Sequence, residues 1–204
     1  FAEHECLAVQ EQRQRGSQHG VPPGRRHDRL GRTPESRLTF VRFAELGSYM
    51  GFLADMMSAG AIASAVNAPT KKALFQQLAA VAEREYGLDP QEVSERLTER
   101  ERLGSTGFGK GVAIPHGKIE GLAHIVAVFA RIDPPIDFEA IDDLPVDLVF
   151  CLLSPPDAGA EHLKALAQVS RWLRDPGFVA KLRGAGSNDA VYALFAGQEE
   201  RHAA

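Results

Sequence analysis

The sequence is poor in cysteine, with two in 204 residues, and it has a single tryptophan. Cys6 and Cys151 cannot make a disulfide framework. Cys151 lies inside an apolar run and reads as a small core residue. Long apolar runs are missing too: "IVAVFA" and "VDLVFCLL" are the size of strands, far short of a bilayer span. No basic start leads into an apolar stretch, so no secretory leader is legible. Positive charge is not in excess, since the net charge is −4, and a nucleic-acid partner would call for a basic face. The expectation is a cytoplasmic, soluble chain with no membrane insertion and no nucleic acid. Hydrophobic residues at 44% give it enough material for a globular core.

Lysine is absent from residues 1–49, which hold eight arginines and six acidic residues without helical or strand period. Such a segment buries too little apolar surface to offset its chain entropy. It reads as a disordered or non-native extension, with Met50 or Met56 as the expected start and residues 50–204 as the one domain. An Arg-rich arm touching nucleic acid or an acidic surface is the rival reading. "RLTFVRFAEL", Arg37 to Leu46, is the one piece expected to order.

From residue 52 the pattern becomes regular. "KKALFQQLAAVAEREYG" places Leu74, Leu78, Val81 and Ala82 at helical spacing and ends at Gly87. A second helix starts at Asp89 as cap, with Pro90 in the first turn and Glu92 completing a capping-box-like start; it ends at Gly104. "GVAIP", "HIVAVFARI" and "PVDLVFCLL" read as strands. "AEHLKALAQVSRWLRD" is an amphipathic helix with Leu163, Leu166, Val169 and Leu173 on its apolar face. Two short helices close the chain. Helices first, strands in the middle and helices last predict a single α/β domain: a central mixed sheet flanked by helices.

"GSTGFGKGVAIPHG", Gly104 to Gly117, nearly spells a nucleotide-binding P-loop. Gly104, Gly109 and Lys110 fit, but Gly111 stands where Ser or Thr must hold magnesium. A P-loop also follows a strand and opens a helix, and this stretch does the reverse. Taken alone, its glycines make a tight connection, or a nest of amides for one anion, with Ser105 and Thr106 adding hydroxyls. His116 follows Pro115 at a strand end. A neutral imidazole there is a competent nucleophile toward phosphorus, although an arbitrary histidine is more often structural. Zinc would need a third ligand such as Asp157 beside His116 and His162, and no H-x-x-x-H or C-x-x-C spacing supports it. No G-x-S-x-G elbow supports a serine hydrolase.

"RERLGSTGFGKGVAIPHGK", "PPIDFEAIDDLPVDLVFCLLSP" and "EHLKALAQVSRWLRD", in that order, resemble the enzyme IIA domain of the phosphoenolpyruvate-dependent phosphotransferase system, mannitol/fructose type. Within it they are most similar to the nitrogen-regulatory (PtsN-type) branch. The resemblance covers roughly residues 52–197. It implies the IIA fold of that type and no cofactor. It implies that His116, through Nε2, accepts a phosphoryl group from the phosphohistidine of an HPr-like carrier, with Arg100 and His162 as its partners. Arginine binds phosphoryl oxygens in a planar fork, and a helix start beside His162 favours an anion. Ser105 and Thr106 are candidates for the rest of the phosphate cradle. Each partner has an ordinary alternative. Arg100 stands among Glu95, Glu99 and Glu101 and can pair along its helix. His162 can be a boundary residue, and His124 reads as structural. Lys110 and Lys118 are guesses for a surface that meets an acidic partner.

The branch implies that phosphorylation state controls partner proteins in nitrogen, carbon and potassium homeostasis. The alternative is a sugar-transport IIA that passes phosphate to a fructose or mannitol IIB domain. A third reading, from another class, is an interaction module that needs no phosphate.

Overall fold

The computed structural model describes residues 55–203. The expected ordered piece at residues 37–46 and the reading of residues 1–49 as an extension lie outside them. Among the described residues, six strands make one mixed sheet and five α-helices flank it.

The chain enters the sheet through β1 (Ile62–Val66), ahead of the helix Lys71–Tyr86. This corrects the expected helices-first order. "IASAV" escapes a sequence reading because three of its five residues are alanine or serine, which give little strand signal. It lies at the sheet edge, parallel to β5 (Val126–Ile136). Helix α1 (Lys71–Tyr86) then runs from a Thr70 cap, whose hydroxyl accepts from Ala73 N–H, to Gly87 at φ 68°. Helix α2 (Pro90–Arg102) starts as expected, with Asp89 accepting from Gln91 N–H. Glu92 accepts instead from Glu120 N–H, 3.2 Å away, and so ties α2 to a distant loop.

The glycine-rich stretch folds back on itself. β2 (Gly107–Gly109) pairs antiparallel with β3 (Val112–Ala113). β3 and β4 (His116–Lys118) both run parallel along β6 (Val146–Ser154), with Val112 opposite Leu148 and His116 opposite Leu152. The Pro115 carbonyl accepts from Leu152 N–H between them, so β3 and β4 form one interrupted line on β6. β5 and β6 pair antiparallel at the centre.

Alternation along the central strands serves two cores. Leu148, Phe150 and Leu152 pack with Trp172 and Phe195 on one face, while Val149, Cys151 and Leu153 join Leu74, Leu78 and Leu97 on the other. Both faces are covered, which is why β6 reads as an unbroken apolar run. Burial pushes the Cys151 thiol well above its ordinary range, in keeping with a core role.

Helix α3 (Gly159–Arg174) corrects a second expectation. Leu163 is 67% exposed, and the buried residues are Ala165, Val169, Trp172 and Leu173. Successive helical residues point about 100° apart. His162 takes the inward position by bonding to Ser154, and that turns Leu163 out. Helices α4 (Pro176–Gly184) and α5 (Asn188–Ala203) close the domain. No helix among the described residues is long and apolar enough to cross a membrane.

Candidate functional site

Arg100, His116 and His162 come together at one end of the sheet, each placed by a different element. His116 opens β4, half-buried, where Pro115 has fixed the backbone direction. Its Nδ1 lies 2.9 Å from the Ile114 carbonyl oxygen. A carbonyl can only accept, so Nδ1 carries the proton and Nε2 carries the lone pair. Arg100 fits that tautomer: its Nε–H donates to His116 Nε2 at 3.0 Å. Arg100 sits in the last turn of α2, and its Nη1 is anchored on the Gly104 carbonyl, 2.9 Å away. Neighbouring acids are engaged by other cations. Arg96 pairs with Glu99, and Lys71 pairs with Glu101.

His162 stands on the first turn of α3, with its ring centroid 5.4 Å from that of His116 and the planes tilted by 53°. Its Nδ1 is 2.8 Å from Ser154 Oγ, at the end of β6. Ser154 is fully buried and was not singled out in the sequence. Its signal is a polar residue closing the apolar run "LVFCLLS".

Both rings are pushed toward the neutral form. Burial pushes the His116 imidazole below its ordinary range, and the Arg100 charge adds to this, against a pull upward from the Ile114 carbonyl and Glu101. Burial likewise lowers His162, helped by His116 and Lys118. Such a site offers one unprotonated ring nitrogen, a guanidinium in contact with it and a second imidazole alongside. It can accept an electrophilic phosphorus at His116 Nε2 and surround the resulting oxygens with donors.

Ser105 and Thr106 are bonded elsewhere. Ser105 Oγ donates to the Phe138 carbonyl at 2.7 Å and accepts from Gly107 N–H. Thr106 donates through both N–H and hydroxyl to one oxygen of Glu101, at 3.0 and 2.6 Å. Both line a groove of about 640 Å³ with Phe108, Lys110, Ile141 and Arg174, a space that does not include the two histidines. Lys118 donates to the Pro156 carbonyl, and His124 is exposed. Asp157 does not complete a metal set with the histidines: among the described residues no three His, Cys, Asp or Glu side chains cluster.

The solved structures supply the class. The crystal structure of nitrogen regulatory protein IIA-Ntr from Neisseria meningitidis superposes with a TM-score of 0.67 at 35% identity, covering 70% of this chain and 98% of that one. The mannitol IIA crystal structure from Escherichia coli shares the fold at 23% identity, with a TM-score of 0.57 over 67% of this chain and 96% of its own. The fold is thus that of a phosphotransferase-system IIA domain.

Residues 55–197 match the family described as phosphoenolpyruvate-dependent sugar phosphotransferase system, EIIA 2, and the chain belongs to that family. Nitrogen regulatory protein from Bradyrhizobium diazoefficiens is 48% identical over 144 residues, 71% of this chain and 94% of that protein. The protein is a IIA-type component of the phosphotransferase system.

Proposed function

We propose that the protein is a phosphocarrier of the nitrogen-regulatory branch, loaded at His116 by the phosphohistidine of an HPr-like carrier. The observation that carries this reading is the Nδ1 bond to the Ile114 carbonyl, which leaves the lone pair on Nε2 with Arg100 against it. In the transfer, the P–N bond of the donor phosphohistidine breaks as the bond from phosphorus to His116 Nε2 forms. The donor imidazole leaves with the electron pair. No proton has to leave His116, so the step needs no general base; it needs placement and charge neutralisation. Arg100 supplies the second by moving its Nε–H from Nε2 to the incoming phosphoryl oxygens while Gly104 holds its other end. His162 is the second donor to those oxygens.

The nitrogen-regulatory assignment rests on relatives bearing that name across nearly their whole length, at 48% and 35% identity. In this reading the loaded and unloaded forms bind partner proteins differently, because phosphorylation adds close to two negative charges at a half-buried strand end. The test is phosphotransfer in solution. Phosphoenolpyruvate, enzyme I and the HPr-like carrier are mixed with the protein, and intact mass is followed. The expected result is an acid-labile gain of one phosphate in the wild type and none in His116→Gln. No gain, with the carrier itself phosphorylated, would discard the carrier role and favour an interaction module.

A further inference from the structure

The two histidines are held by different kinds of partner. His116 Nδ1 faces a carbonyl, which cannot donate. His162 Nδ1 faces a hydroxyl, which can do either. Burial decides between the two. Ser154 is 0% exposed, and the only partner of its Oγ among the described residues is His162 Nδ1. If Nδ1–H donated to the serine, the serine's own proton would be buried with no acceptor, which is the costly arrangement for a polar group. The hydroxyl proton therefore points at Nδ1, and the ring proton sits on Nε2.

We propose that Ser154 is a positioning residue: its hydroxyl donates to Nδ1 of His162 and fixes that imidazole as the Nε2–H tautomer, leaving Nε2–H free to donate beside His116. The two rings then have complementary tautomers, lone pair outward on His116 and proton outward on His162. A phosphoryl group on His116 Nε2 meets a donor from His162, whereas the opposite tautomer would present a second lone pair to its oxygens. The depressed pKa of His162 supports the arrangement, since a neutral ring is the one for which the tautomer matters. The register explains why the serine can do this. Ser154 is the last residue of β6, opposite Lys118, and its carbonyl accepts from Ile119 N–H. Its backbone is locked, and the short side chain reaches the first turn of α3.

The catalytic side of the inference rests on the phosphocarrier reading; the tautomer does not, so the test has two readouts. Nitrogen-15 NMR of the histidine rings, at a pH where both are neutral, reports which nitrogen of His162 is protonated. Single-turnover transfer from the phosphorylated HPr-like carrier reports the rate. In the wild type, the His162 proton is expected on Nε2. In Ser154→Ala, which removes one oxygen from the core, the ring is expected to become a mixture of tautomers and transfer to slow roughly three- to tenfold, the worth of one hydrogen bond. Ser154→Cys, a weaker donor of similar shape, is expected to fall between. In a His162→Gln background, Ser154→Ala should change the rate no further. A wild-type His162 protonated on Nδ1 overturns the inference without any variant. So does a Ser154→Ala protein with unchanged tautomer and rate, or one that still slows transfer when His162 is gone. A wild type that shows the Nε2–H ring yet takes no phosphate upholds the tautomer and sinks the phosphocarrier reading, so the two failures are told apart.

Discussion

The stretch from Gly104 to Lys118 has two halves that behave oppositely. The first, Gly104–Gly111, is the conspicuous one, and it turns inward on its own chain. Gly107 packs so tightly that an added Cβ would lie 2.7 Å from Ala140 Cα. Lys110 at φ 57° and Gly111 at φ 79° reverse the chain, with Lys110 N–H on Asp142 and the Lys110 carbonyl taken by Arg183. The second half, residues 112–118, has an ordinary strand sequence and lies flat along β6, where it presents His116 beside Arg100 and His162. Gly107 marks where backbone meets backbone, and the proposed chemistry belongs to the plainer half that follows.

The sharpest way to break this contrast is to mutate one residue in each half. His116→Gln should abolish phosphate uptake by intact mass while leaving the melting temperature within a few degrees, because a half-exposed strand-end side chain contributes little to the core. Equal loss of stability would mean that His116 is structural. Next comes Arg100→Ala, expected to slow single-turnover transfer by about a hundredfold, the usual scale for removing one donor aimed at developing charge. Arg100→Lys should recover only part of this, since an ammonium cannot hold the Gly104 carbonyl and the phosphoryl oxygens with one planar fork. Gly107→Ala is the converse experiment. Its Cβ has backbone in its way, so the fold should lose about 1–3 kcal/mol by overpacking, read as a lower melting temperature, with transfer per folded molecule unchanged. A variant that melts normally but transfers slowly would put the glycine-rich half into the site.

The contrast also explains what the sequence could tell. The grouping of His116, Arg100 and His162, which the structure brings together, is legible only through ordered motifs that resemble a known family; by spacing alone each has a bland alternative. Ser105 and Thr106 had the composition of a phosphate cradle, but their hydroxyls are bonded to the Phe138 carbonyl and to Glu101, contacts between elements that no local pattern encodes. Ser154 was hidden for the same reason, since its partner is eight residues away on another element. In the fold, α1 and α2 were legible from their caps and β6 from its apolar run. β1 was not, because its small residues draw their strand character from pairing with β5. The face of α3 was misplaced at Leu163 because periodicity counts apolar residues, and here a histidine holds the inward position.

The smallest expected effect is a shift in pH dependence, and it tests whether burial or charge sets the nucleophile. Transfer requires neutral His116, so the rate should fall on the acid side as the ring protonates. Burial is the leading cause of its lowered pKa and the Arg100 charge a further one, so the acid limb of the wild type should lie below the ordinary histidine value of 6.5. The same shift has a stability consequence of the same sign. Between the folded and unfolded values the unfolded chain binds more protons, so this contribution is fully present above 6.5 and is lost as pH falls through the lower, folded value. Arg100→Ala removes the charge and leaves the burial. Its single-turnover limb, normalised to its own plateau, should therefore move back toward 6.5 without reaching it. A limb that stays where the wild type's lies would mean that Arg100 acts on the phosphoryl oxygens alone. A full return would mean that its charge, and not burial, keeps the His116 lone pair free.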